Sequence, residues 1–76
     1  MNFKLSLHAI KRMADRGITA ADITNAIIYG KEFIKKDFIK FVVTNRQAKV
    51  IKMLKKICGL TVIVSLSNEI ITVFRR

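Results

Sequence analysis

The chain carries one histidine, His8, and arginines follow it at Arg12 and Arg16. If this segment is helical, at about 100° per residue, Arg12 falls about 40° from His8 and Arg16 about 80° from it. An imidazole moves protons near neutral pH. A guanidinium grips a phosphate through two parallel hydrogen bonds and steadies the charge that builds on it. Those are the groups needed to cleave an RNA phosphodiester without a metal: one to take the proton of the 2′-hydroxyl, others to hold the phosphate. Asp15, three residues from Arg12, is placed to orient that arginine. The same spacing also describes an ordinary solvated helix face with one exposed histidine, and both readings stand at this point. Near the other end, Thr72 puts a hydroxyl into an apolar run. It alternates with Ile71 and Val73, so it is expected on the other side of a strand from both. It is either a donor to a phosphate or a threonine chosen for strand propensity. Two arginines, Arg75 and Arg76, follow that run, and Arg75 is a further cation for a substrate.

Other chemistries find little support. Cys58 is the single cysteine, with no histidine beside it, so neither a zinc site nor a redox pair is expected, and it reads as a small core residue. Gly17, Gly30 and Gly59 each fall at a helix end and form no phosphate-binding loop. The five Asp and Glu are scattered, without the paired carboxylates of a two-metal site. No metal or cofactor is therefore expected. Phe33, Phe38, Phe41 and Phe74 would stack on bases if they faced outward, but in so small a core they are expected to be buried.

Charge narrows the partner. Fifteen Lys and Arg against five Asp and Glu give a formal net charge of +10. Self-repulsion on that scale is relieved by a polyanion, and phosphate contacts that release counterions supply affinity without reading sequence. RNA is the expected partner. A merely solubilising surface is the bland alternative. Anionic membrane is disfavoured, because the one strongly basic helix lacks the bulky aromatics of an interfacial helix. A lone cysteine suits a reducing compartment, and the first residues lack the apolar stretch of a signal peptide. A cytoplasmic location is expected.

These residues need a scaffold, and 76 residues make one domain, 1–76. Ser6 is an N-cap for a helix to Arg16, with Ile10, Met13 and Ala14 as its apolar stripe and Gly17 as a left-handed end. Thr19 to Asp22 is a capping-box start for a second helix, with Ile23, Ala26 and Ile27 inward and Gly30 as its stop. The two are expected to form a tight αα-hairpin. That second helix holds no Arg or Lys, which disfavours a DNA-reading helix-turn-helix. Strands are expected at 32–36 and 38–44. Residues 46–58 read as a helix with Val50, Ile51, Leu54, Ile57 and Cys58 on one side and Lys49, Lys52, Lys55 and Lys56 on the other. A strand pair through 48–53 is the alternative. Strands at 60–65 and 69–75 with a Ser67-Asn68 turn complete an α+β fold, order α-α-β-β-α-β-β, with the αα-hairpin on a small antiparallel sheet.

The stretch Ser6-Leu7-His8-Ala9-Ile10-Lys11-Arg12-Met13-Ala14-Asp15-Arg16-Gly17-Ile18-Thr19 resembles the opening of the small prokaryotic domain-of-unknown-function family 4258. Ile70-Ile71-Thr72-Val73-Phe74-Arg75 resembles that family's closing strand. The similarity covers most of the chain and is least marked over residues 31–59. That family is similar to the RelE-like, barnase-like and colicin-like ribonucleases, and its members occur in toxin–antitoxin or polymorphic toxin systems. The resemblance implies metal-independent RNA cleavage. His8 and Arg12 match the family's first-helix histidine and arginine, Arg16 the arginine before its glycine, and Thr72 the threonine of its last strand. Phe74 stands where a tyrosine is common, which removes one possible acid or base. On this reading His8, Arg12 and Thr72 are catalytic, and Arg16, Lys49, Lys52, Lys56 and Arg75 bind substrate. An acidic antitoxin or immunity protein would be the protein partner. The competing expectation is a non-catalytic module that binds nucleic acid or protein, such as a phage or plasmid protein blocking a host defence complex.

Overall fold

Capping chemistry sets the helix starts in the computed structural model, which describes residues 3–75. The Ser6 hydroxyl accepts the Ala9 N–H at 3.0 Å and so opens α1 (Leu7–Arg16). Gly17, at φ 64°, ends α1 in the left-handed conformation that favours glycine. A reciprocal pair opens α2 (Ala20–Tyr29): the Thr19 N–H donates to Asp22 and the Asp22 N–H donates to the Thr19 hydroxyl, each at 3.1 Å. Gly30 closes α2 because nothing larger fits. A β-carbon there would lie 2.3 Å from the Ala26 carbonyl oxygen and 3.0 Å from that of Val42.

The rest of the chain is a sheet with one helical excursion. Short β1 (Lys4–Leu5) precedes α1, and β2 (Lys31–Ile34) and β3 (Phe38–Val42) follow α2. Next come α3 (Asn45–Val50), a 3-10 helix (Lys52–Ile57), β4 (Leu60–Ser65) and β5 (Glu69–Arg75). The five strands lie in the order β1-β5-β4-β3-β2. Every neighbouring pair is antiparallel except β1 with β5, which is parallel. One side of the sheet, including Phe41, Val62, Val64, Ile70 and Val73, packs with Ala9, Ile23, Ala26, Ile27, Leu54 and Ile57 into a single core. All helical elements therefore cover one face.

The α+β class holds, and several finer expectations are corrected. The sheet is mixed, because β1 adds a two-residue parallel edge whose residues are exposed and carry no strand-favouring pattern. The helices do not form a tight hairpin. α1 packs on β5, α2 packs on β3 and β4, and contact between the two helices is sparse. α1 is also rotated from the expected stripe. Ala9 is fully buried and Met13 packs on the core, while Ile10 and Ala14 are exposed. A small residue at the contact lets the helix backbone approach the sheet closely.

The stretch 46–58 is helical but broken at Ile51, whose ψ of 100° is extended. Thr44 and Gln47 form a second capping box that starts α3. The three-residue turn of the 3-10 helix then stacks Leu54 and Ile57 on one side, and both are buried. Val50, expected inward, is 78% exposed. Gly59 does not cap the lysine-bearing helix; it takes a positive φ just before β4, and its N–H donates to the Val43 carbonyl.

In β5 a bulge breaks the expected alternation. Thr72 pairs with Ile63 and Ile70 with Val64, which leaves Ile71 as the extra residue. Ile71 is thereby partly exposed rather than buried beside Val73.

Candidate functional site

His8 lies in the first turns of α1 and is exposed. With Lys11, Arg12 and Asp15 it lines a shallow depression on the outer side of that helix. The helical repeat alone explains the grouping, since residues three and four apart are neighbours on a helix surface. Two cations thus flank one imidazole in open solvent, an arrangement able to hold a phosphate beside a proton-transfer group. Asp15 shares the depression but makes no ion pair with Arg12. The one ion pair among the described residues joins Lys56 to Asp22 at 3.4 Å.

Thr72 is half-buried on β5, on the side of the sheet away from Val73 and the core. It is not part of the wall around His8. The two regions are linked through the bulge. The Ser6 hydroxyl donates to the Ile71 carbonyl at 2.8 Å, and the Ser6 N–H donates to the Ile70 carbonyl at 3.1 Å. These bonds fix the first turn of α1 beside the residue that precedes Thr72.

Arg16 is exposed in the last turn of α1, outside the depression. Lys49 lies in the last turn of α3, and Lys52 and Lys56 lie on the 3-10 helix, all three exposed. Lys56 is committed to Asp22. Burial disfavours the Asp22 charge, but hydrogen bonding from Thr19 and the Lys56 ammonium outweigh it and hold the carboxyl below its usual range. Arg75 ends β5, exposed, and Arg76 lies outside the described residues.

Cys58 is half-buried, and its thiol donates to the Asn45 side chain. Among the described residues, no group of three or more His, Cys, Asp and Glu is placed to hold a metal ion. Among the same residues, no helix is long and apolar enough to cross a membrane.

The phenylalanines depart most from expectation. Phe41 alone is buried; Phe33 and Phe38 are half-buried, and Phe74 is 40% exposed. Three lysine ammoniums stand over the Phe33 ring: Lys40 at 5.1 Å from its centroid, Lys31 at 5.3 Å and Lys35 at 6.0 Å. None of these lysines was singled out by the sequence. Strand register was the missing signal, because a one-residue shift sends every side chain to the other face.

No curated protein and no solved structure matches the chain. A family model does match, over residues 5–75, nearly the whole chain and including both His8 and Thr72. The chain belongs to the family described as Domain of unknown function (DUF4258).

Proposed function

We propose that this domain acts on RNA as a metal-independent endoribonuclease of the toxin type. The observation that carries the reading is the exposed depression where His8 stands between Lys11 and Arg12, on a chain of net charge +10. His8 takes the proton from a 2′-hydroxyl, whose oxygen attacks the adjacent phosphorus. The bond from phosphorus to the 5′ oxygen breaks, and His8 returns the proton to that oxygen. Arg12, with Lys11 beside it, holds the phosphate as negative charge grows on it. Thr72, on the helix-free face of β5 and outside the His8 depression, donates a hydrogen bond to the RNA away from the reacting phosphate. Arg16, Lys49, Lys52 and Arg75 attract the polyanion from farther off. The chain's ends carry the DUF4258 pattern, and the resemblance of that family to ribonuclease toxins implies the same reading. It also suggests an acidic antitoxin or immunity protein as the partner that holds the domain in check in the cytoplasm.

The test is incubation of the purified domain with single-stranded RNA in excess chelator. Cleavage is expected, with a rate about a hundredfold lower or more in His8→Ala, as for loss of a general acid–base. An RNA whose target nucleotide is 2′-deoxy should resist. A His8→Ala protein as fast as wild type removes the imidazole from the mechanism. A wild type that binds RNA in a salt-sensitive way but never cuts it leaves a non-catalytic binding module, the second reading. That reading is favoured by the absence of Thr72 from the His8 depression.

A further inference from the structure

The helices cover one face of the sheet, and the register shows what the other face presents. Phe33, Lys40, Ile63 and Thr72 are cross-strand partners in one row across β2, β3, β4 and β5. The next row is Lys31, Val42, Thr61 and Phe74, of which Val42 and Thr61 are buried and only Lys31 and Phe74 reach solvent. Neither row contains a carboxylate. Glu32 pairs with Phe41 and so lies on the core side, and Asp22 belongs to α2.

The Phe33 ring gathers Lys31, Lys35 and Lys40 within 5.1 to 6.0 Å of its centroid. None of the three forms an ion pair with a carboxylate; among the described residues that is found only for Lys56. The ring's negative face attracts each ammonium weakly, but three like charges around one ring repel one another. A bound polyanion removes that repulsion. Aromatic faces bordered by cations are what a single strand of nucleic acid needs, because its bases stack on the rings and its phosphates meet the lysines. A duplex, with its bases already stacked inside, cannot use the rings.

We propose that the helix-free face of the sheet is a platform for single-stranded nucleic acid, with bases stacked on Phe33 and Phe74 and phosphates held by Lys31, Lys35 and Lys40. The backbone positions of Phe33 and Phe74 lie about 16 Å apart, three strand spacings across the sheet and two residues along it. Neither one base nor two adjacent ones can bridge that gap, so the platform takes a strand of several nucleotides, led past the Thr72 hydroxyl between the rings. The choice of RNA rests on the proposed function, and the platform itself does not require cleavage.

The experiment uses a fluorescent 2′-O-methyl uridine decamer, which cannot be cut through its 2′-oxygen, and reads anisotropy with the whole domain at several salt concentrations. Wild type should bind the single strand well and its duplex with a complementary decamer poorly. Phe33→Ala should weaken binding by about 5- to 150-fold, the range for loss of one stacked base. Lys40→Gln, which keeps the chain's shape if the phenylalanine variant proves unstable, should lower the slope of log affinity against log salt by about 0.7. Unchanged affinity and slope in the Phe33 and Lys40 variants overturn the platform even if the enzyme cuts RNA. Binding with these losses supports it even if nothing is cut. A wild type that binds no single strand at low salt overturns it and leaves the face to an acidic protein.

Discussion

Removing the charge on Asp22 tests how the lysine-bearing excursion is fixed to the body of the domain. The residue is buried, one carboxylate oxygen accepts the Thr19 N–H, and the other faces the Lys56 ammonium at 3.4 Å. Asp22→Asn keeps an acceptor for Thr19 but removes the ion pair and the charge at the start of α2. A carboxylate at a helix N-terminus contributes about 0.3 to 1 kcal/mol. The pair with Lys56, whose side chain is 73% exposed, adds at most about 1 kcal/mol after solvent screening. The variant is therefore expected to lose about 1 kcal/mol at pH 7, or about 4 to 8 °C in Tm for a domain of this size.

The pH dependence gives the sharper check. The folded-state pKa of Asp22 lies below its unfolded value. Its contribution is complete above the unfolded value, about 3.9, and is lost as pH falls through the lower, folded value. Urea denaturation of both proteins between pH 7 and pH 2 should show a constant gap down to about pH 5 that closes in stronger acid. A gap that persists at pH 2, or none at pH 7, refutes the assignment of stability to this charge.

Two further substitutions probe the frame around the site. Gly30→Ala would drive a methyl group against the Ala26 and Val42 carbonyls. It should cost about 1 to 3 kcal/mol, as overpacking does, and a thermal melt equal to wild type would contradict the close approach. Ser6→Ala removes both the cap on the Ala9 N–H and the bond to the Ile71 carbonyl. It should cost about 1 to 2 kcal/mol in chemical denaturation. If that bond positions His8, cleavage in conditions where the variant is fully folded should also slow.

Where the code is local, the sequence could be read. Ser6, Gly17 and the Thr19–Asp22 pair mark helix ends through bonds spanning three or four residues. The last two strands and the Asn68 turn, at φ 64°, follow from residue type. His8 and Arg12 could be placed together because a helix repeats on that scale. What was not legible depends on partners far along the chain. Exposed Lys4 and Leu5 become a strand only because β5 offers an edge. Ala9 faces the core in place of Ile10 because α1 lies close against β5. Ile51 breaks its helix so that Leu54 and Ile57 can both reach the interior. Residue type alone could not tell Phe41 from Phe33 and Phe74. Their neighbours across β2 to β5 decide which ring is buried and which meets solvent, and the bulge at Ile71 sets which way Thr72 points.

The measurement closest to the central claim is the chemistry of the cut ends. Attack by a 2′-oxygen with the proton passed through His8 must leave a 2′,3′-cyclic phosphate on one fragment and a 5′-hydroxyl on the other. Mass spectrometry of a short RNA after incubation with the domain in chelator should find those ends, formed about a hundredfold more slowly or worse by His8→Ala. Fragments ending in a 3′-hydroxyl, or the same ends at the same rate without the imidazole, would contradict the account.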